Sequence, residues 1–534
     1  FSTLISSTHT GQTYEWTPTA VTRSAGAEAL PFNDLLLKDQ WNLINTGSMP
    51  GSVAGADVGV KDAWKLTGGD PRVIVAVLDS PVKYDHPDLA ANMWKNEKEI
   101  PGNGEDDDKN GYIDDYYGWN CERENGDINW EGARASGHGT HVAGVVAAVN
   151  GNGIGVSGIA GGTGNNDGVR IMSCQIFENG YSTNLDASAN GFVYAAQNGA
   201  SIAQCSFGLI NGNYTSDAEY AGLYGAEYAG VQFFLDKENN NSDILDGNII
   251  IAAAGNERAT ISSYPAALEE VVSVTALGPD YLPAVGYTNY GPGCNIAAPG
   301  GDFYAGDVTS VENNRSRVLS TFINTAKDDN VGTGHDYVYM QGTSMACPHV
   351  SGVVALGLAY ARKLGKEYTY DEFLSMIYSS VNNLDYYIET SKKKSNGIDF
   401  DLTKYWQAMG TGAIDTWRLF MQIEGTPTLV AKTGDLAKLS LGEYFGGAAS
   451  NITYLSVEIS DEDREALGVE GAVEVKSGKL NIKCTKVGSG KVVIKAIAGG
   501  DTLAENGAIG GSEFTKEVSV LSREVAVAKN GGWL

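Results

Sequence analysis

"RVIVAVLDS", residues 72–80, runs through an apolar stretch and stops at Asp79. An unbroken apolar run of this length, rich in Val and Ile and closed by polar residues, reads as a strand covered on both faces. "NIIIAAAGN" (248–256) and "VVSVTAL" (271–277) have the same texture. They alternate with helix-like stretches: "THVAGVVAAV" (140–149), "SANGFVYAAQNGA" (188–200) and "SMACPHVSGVVALGLAYARKLG" (344–365). Strand, helix, strand in repetition predicts α/β architecture around a mostly parallel sheet over residues 31–422. Residues 1–30 lack periodicity and are expected to form an N-terminal arm or the remnant of a propeptide, without a site.

The texture changes after "GTGAIDTWRLFMQIEGTP" (410–427). "LSVEIS", "VEVKSGKLNIKC" and "KVVIKAIAGG" are short β-rich runs between Gly, Ser and Asp turns. They predict a small all-β sandwich domain over residues 423–534. "SKKKSNG" (391–397) reads as a solvated loop.

The 534 residues are 42% hydrophobic, with a formal charge of -28 and a mean hydropathy of -0.18. That charge excludes a nucleic-acid partner, since phosphates would be repelled, and favours calcium. Residues from Gly425 onward are close to neutral, so the acidity belongs upstream. No apolar stretch reaches the ~20 residues that span a bilayer, and the first residues lack the pattern of a signal peptide. A mature or trimmed form is expected, with no transmembrane segment. Cys121, Cys174, Cys205, Cys294, Cys347 and Cys484 show no paired spacing and are expected to be buried free thiols.

In a parallel sheet, functional residues gather where strands end and the following helices begin. Asp79 ends a strand; His138 in "GHGTHVAGVVAA" and Ser344 in "GTSMACPHVSG" stand at helix starts. Each alone has a plainer reading: a turn aspartate, a core histidine, a serine cap. Together they supply nucleophilic acyl transfer, in which an imidazole takes the proton of a serine hydroxyl and a carboxylate orients the imidazole. The chain order Asp, His, Ser and the absence of G-x-S-x-G around Ser344 argue against an α/β-hydrolase.

These motifs, with "AAAGNE" and the "HPDL" that follows Asp79, resemble the subtilisin-like serine proteases. The resemblance implies a three-layer α/β fold and a secreted serine endopeptidase acting on proteins or peptides, in the extracellular space or cell envelope. It implies that Asp79 orients His138, that His138 is general base then general acid, and that Ser344 is the nucleophile. His141 and His349 take structural positions. Asn256, with the Ser344 backbone N–H, would donate to the oxyanion. Ser206, Phe207 and Gly208 in "CSFG" would run beside the substrate, which adds as an extra strand. Ala254 and Gly255 would form the other wall of the primary pocket.

Pro81 departs from the family pattern, where glycine stands two residues after the aspartate. A donor near the Asp79 carboxylate is therefore expected to be absent. The competing reading is a non-catalytic scaffold of the same fold. "NGEDDDKNGYIDD" resembles an EF-hand-like calcium loop, with candidate ligands Asp106, Asp108, Asn110, Tyr112, Asp114 and Asp115. The loop "VNGNGIGV" resembles a subtilisin calcium loop. Its ligands would be the side chains of Asp88 and Asn152 and the carbonyls of Val149, Ile154 and Val156.

Overall fold

The computed structural model describes residues 4–6, 30–131, 136–178, 182, 184, 186–209, 216–302, 315–324, 335–388, 392–395, 398–441, 452–498 and 512–524. Most of the expected N-terminal arm lies outside these residues.

The apolar runs assemble into one nine-stranded sheet. In chain order its strands are β1 (Ile74–Asp79), β2 (Gly118–Asn120), β3 (Arg170–Gln175), β4 (Ile202–Cys205), β5 (Ile249–Ala253), β6 (Val272–Leu277), β7 (Ile296–Pro299), β8 (Val381–Asn382) and β9 (Ala413–Ile414). Across the sheet the order is β8-β9-β7-β6-β5-β4-β1-β3-β2. Every neighbouring pair is parallel except β8 with β9.

Successive side chains of a strand face opposite sides of the sheet. Ala76 and Leu78 of β1 join a cluster with Phe192 and Tyr194 of α1 (Ala187–Gln197) and Val231 and Phe234 of α2 (Gly225–Leu235). Asp79 therefore emerges on the face shared by Val75 and Val77. The helices His138–Ala147 and Thr343–Lys363 pack against one another and against the sheet. Thr343–Lys363 is the one helix among the described residues long and apolar enough to cross a membrane, and its whole apolar window is buried in the protein.

Two compact units divide the chain: Phe1–Ser52 with Ala56–Thr416, and Val53–Gly55 with Trp417–Leu534. The division falls just inside the helix Thr416–Glu424, about two turns before the helix ends and upstream of the expected boundary at 422. Trp417 belongs to the second unit, where its Nε1–H donates to Ser519 Oγ at 2.6 Å. That unit holds a four-stranded sheet and a three-stranded one. Leu429 and Ala431, Leu480 and Ile482, and Val518 and Val520 alternate inward along their strands into one shared core.

"SKKKSNG" is not a solvated loop throughout. Lys392–Ser395 pairs antiparallel with Ile398–Asp401, and Lys393 is only 4% exposed. Its charge is matched inside the protein, as described below. The cysteines are free; five are buried and Cys294 is half-buried.

Candidate active site

Asp79 and His138 meet because their elements approach closely. A Cβ on Gly139 would stand 2.1 Å from the Ser80 carbonyl oxygen, so only glycine lets the helix start sit against the end of β1. Both side chains are fully buried. His138 Nδ1 lies 2.8 Å from Asp79 Oδ1 and 2.9 Å from Oδ2. With a carboxylate accepting there, Nδ1 carries the proton and Nε2 presents its lone pair. Nε2 is buried and has no hydrogen-bond partner among the described residues.

Pro81 has no N–H to offer the Asp79 carboxylate, and the residue before it supplies one. The Ser80 backbone N–H donates to Asp79 Oδ1 at 2.7 Å. Ser80 Oγ accepts from the Gly139 N–H at 2.8 Å and donates to the Ser136 carbonyl at 3.1 Å. The residue before the proline thus ties β1 to the histidine helix.

Ser344 stands at the second position of the helix Thr343–Lys363. Four residues on, Pro348 has no N–H, so the Ser344 carbonyl lacks its usual helical donor. Ser206 Oγ supplies one at 2.7 Å, and accepts from Gln204 Nε2 at 2.7 Å. The Ser344 hydroxyl donates to the Ser206 carbonyl at 3.3 Å. The helix proline thereby couples the serine to the strand beside it. Cys347 Sγ lies 3.1 Å from Gln204 Oε1, and burial pushes its thiol up to about 12.

Asn256 follows the end of β5, after Gly255 at φ 107°. Its Oδ1 accepts from the Thr343 N–H at 2.8 Å and from Thr343 Oγ1 at 2.9 Å. Thr343 Oγ1 accepts in turn from the Gly255 N–H at 3.2 Å. A Cβ on Gly342 would stand 3.6 Å from Asn256 Nδ2, from Asn256 Oδ1 and from Ser344 N, which brings the Asn256 amide and the Ser344 N–H to the same turn.

Phe207–Leu209 forms a strand, and the protein's own Leu4–Ser6 pairs with it antiparallel, Ile5 opposite Gly208. The segment that carries Phe207 and Gly208 therefore accepts an extended chain on its edge. Ala254 is buried; its carbonyl accepts from Ser263 N and Asn289 Nδ2.

His141 and His349 are buried and bonded away from the centre. His141 Nε2 lies 3.1 and 3.2 Å from the Val318 and Val338 carbonyls, and burial with the nearby His138 lowers its pKa to about 3. His349 Nδ1 is 2.7 Å from the Met345 carbonyl and its Nε2 2.8 Å from Asn42 Nδ2. Burial lowers it to about 4.

The acidic loop brings Asp106 and Asp108 together with Glu99, a residue the loop motif does not contain. One carboxylate oxygen from each lies within 4.8 Å of the others. Asn110 donates its N–H to Asp106 and Asp108 and its Nδ2 to Asp115. Asp115 also accepts from Asn96 and Tyr194. Asp114 caps the turn through the N–H groups of Gly102, Asn103 and Gly104. Tyr112 sends its hydroxyl to Gln197. In the other loop, Asp88 accepts from Asn152 Nδ2 at 2.7 Å and from the Val156 N–H at 2.8 Å, and burial raises it to about 7. The Val149 N–H bonds the Asp88 carbonyl and the Ile154 N–H bonds Asn152 Oδ1.

Ser80, Gln204, Thr343 and Glu99, whose carboxylate accepts from the N–H groups of Asp107, Asp108 and Asp114, thus carry hydrogen bonds that the motifs left unassigned. Thr343 had a signal, its place beside Ser344. Glu99 had none, because its role comes from the fold of the turn.

Residues 70–400 match the model of the Subtilase family. The chain belongs to the subtilase family. Among curated relatives, this subtilase is 30% identical over 294 residues to the thermophilic serine proteinase of Bacillus sp. (strain AK1), covering 55% of this chain and 54% of that protein. To the halolysin of Haloferax mediterranei it is 30% identical over 306 residues, 57% of this chain and 45% of the other. To the extracellular basic protease of Dichelobacter nodosus it is 29% identical over 415 residues, 74% and 56%. The chain spans about half the length of these relatives. A solved structure of proteases from Pseudoalteromonas arctica PAMC 21717 aligns with a TM-score of 0.49 at 25% identity, covering 74% of this subtilase and 99% of that chain.

Proposed function

We propose that this subtilase is a serine endopeptidase acting on proteins or peptides outside the cell, with Ser344, His138, Asp79 and Asn256 as its catalytic residues. The observation that carries the reading is the buried His138 Nε2, an imidazole lone pair without a partner among the described residues, backed by a carboxylate at 2.8 Å. Such a nitrogen is poised to take a proton. The name of the Dichelobacter nodosus relative, an extracellular basic protease, supports an exported protease.

In the proposed reaction a substrate strand lies along Ser206–Gly208, as Leu4–Ser6 does, between that edge and Ala254–Gly255. Ser344 Oγ attacks the scissile carbonyl carbon while its proton passes to His138 Nε2. Asp79 stabilises the imidazolium without taking the proton. The carbonyl π-pair moves onto oxygen, where the Asn256 amide and the Ser344 N–H receive it. The C–N bond then breaks as His138 returns the proton to the leaving amine, giving the acyl-enzyme. Water, deprotonated by the same imidazole, attacks the acyl carbon; collapse breaks the bond to Ser344 Oγ as His138 returns the proton to that oxygen, releasing the acid and restoring the serine.

We also propose a structural calcium ion held by Glu99, Asp106 and Asp108. Hard oxygen donors converging from one turn fit that cation. The Asp88 loop fits less well, since Asp88 is the one carboxylate among its candidate ligands. Residues 417–534 are proposed to be a β-sandwich that aids binding to protein substrates. Labelling of the full chain with a fluorophosphonate, and its loss in Ser344→Ala, tests the central claim. A non-catalytic scaffold would leave the wild type unlabelled.

A further inference from the structure

Lys393 lies in the basic run that no catalytic motif absorbs. Its Nζ is 2.7 Å from Asp302 Oδ2, 2.9 Å from Asp280 Oδ2 and 2.9 Å from the Pro283 carbonyl it donates to. Lysine is almost never buried unless paired, because withdrawing the ammonium from water is costly. Here one cation bridges two carboxylates. Burial opposes the charge, but Asp280 and Asp302 outweigh it and keep the ammonium protonated.

Asp302 is not a remote anchor. It closes the turn Gly300–Asp302, which leaves β7 and is fixed at each residue. The N–H groups of Gly300 and Gly301 donate to the Leu277 carbonyl at 2.9 and 3.1 Å. Tyr287 donates its hydroxyl to the Gly301 carbonyl at 2.5 Å. Asp302 N–H donates to the Ser316 carbonyl at 3.2 Å, and Ser316 Oγ to the Asp302 carbonyl. The Gly300 carbonyl accepts from the Gly342 N–H at 3.0 Å. Gly342, at φ 148°, precedes Thr343, whose N–H and hydroxyl hold Asn256. Bonds therefore run without a gap from the ammonium to the turn that sets the Ser344 N–H and the Asn256 amide.

We propose that Lys393 is a positioning residue: by clamping Asp302 it fixes the Gly300–Asp302 turn and, through Gly342, the aim of the two oxyanion donors. The hairpin of Lys392–Ser395 and Ile398–Asp401 delivers this lysine. The proposal rests on the endopeptidase reading.

Without the ammonium, Asp280 and Asp302 face each other as like charges and the turn must shift or take up a proton. A small displacement matters more to the transition state, where charge forms on the oxygen, than to substrate binding. The full chain carrying Lys393→Met, assayed on a short chromogenic peptide well below its melting temperature, is expected to lose kcat about tenfold or more with KM within about twofold. Its fluorophosphonate labelling slows in parallel. Asp302→Asn, which weakens the clamp at the turn, lowers kcat in the same way. Asp280→Asn, which leaves the Asp302–Lys393 pair intact, stays within about twofold of wild type. A folded Lys393→Met with wild-type kcat and labelling overturns the proposal. Were that variant not to fold, Asp302→Asn decides: unchanged kcat overturns it, and lowered kcat at constant KM supports it. An unlabelled wild type sinks the endopeptidase reading and this proposal together, whereas a labelled wild type with unaffected variants sinks this proposal alone.

Discussion

The pairing of Asp79 with His138 and the acidic loop at 99–115 are both built around polar residues that short motifs point to, yet they are built differently. Asp79, His138 and Ser344 stand at the ends of regular elements, and each is buried. Their positions follow from where a strand stops and a helix starts. In the loop no regular element intervenes, and the turn itself chooses which carboxylates converge. It selects Glu99 with Asp106 and Asp108, and spends Asp114 on capping Gly102–Gly104. Function at the ends of elements can be located from a motif; function within a turn depends on the backbone path.

The sharpest way to break this comparison is at Asp79. If a strand end fixes the imidazole, Asp79→Asn leaves the fold in place, because the amide fits the same space. The amide can, however, donate to Nδ1 and so favour the wrong tautomer. A loss of about ten-thousandfold in kcat is expected, the size seen for this substitution in a serine protease triad. Wild-type turnover in a folded Asp79→Asn would show that His138 does not depend on this carboxylate.

A smaller effect is expected one bond further out. Asn256→Ala removes an oxyanion donor and should lower kcat by about a hundred- to a thousandfold with KM little changed. Thr343→Val keeps the donor but frees its amide oxygen from the Thr343 hydroxyl. About a tenfold loss of kcat is expected, roughly 1.4 kcal/mol. If Thr343→Val instead raises KM at constant kcat, Asn256 serves ground-state binding.

The helical core makes a prediction in pH. His349 titrates at about 4 and His141 at about 3 because burial disfavours their charged forms. In the unfolded chain both return to about 6.5. Their folded values are depressed, so the unfolded state binds more protons as pH falls. Stability is therefore present above about pH 6.5 and lost toward pH 4 to 3, on the order of 3 kcal/mol for His349. His349→Gln keeps partners for Asn42 and Met345 and should flatten the decline. Urea midpoints of the two proteins across pH 4–7 measure the difference, and parallel curves would reject it.

The sequence made the mostly parallel sheet and the subtilase motifs legible because apolar runs and short motifs are local properties. It did not show that Lys393 is buried, since its carboxylate partners stand some ninety residues or more upstream. Nor could it show that Pro348 frees the Ser344 carbonyl for Ser206, which requires two distant elements to be adjacent. The Trp417 indole reaches Ser519, another long-range contact.

The smallest expected effect sharpens the comparison on the loop side. If the turn and not the motif selects ligands, Glu99→Gln should weaken calcium-dependent stability more than Asp114→Asn does. Both substitutions keep an acceptor, so each preserves part of its hydrogen bonding to the N–H groups of Asp107 and Asp108, or of Gly102 to Gly104. Only the first removes a negative charge from the group of three carboxylates. A native-state ligand at a hundredfold excess over its dissociation constant stabilises by about 2.7 kcal/mol. A tenfold weaker site forfeits about 1.4 kcal/mol of that, roughly 2 °C or less in a protein of this size. Thermal melts of wild type, Glu99→Gln and Asp114→Asn, each with added calcium and with excess chelator, give the comparison directly. The gap between the two conditions should shrink for Glu99→Gln and persist for Asp114→Asn. A gap that persists for Glu99→Gln and disappears for Asp114→Asn would return the site to the spacing of the motif.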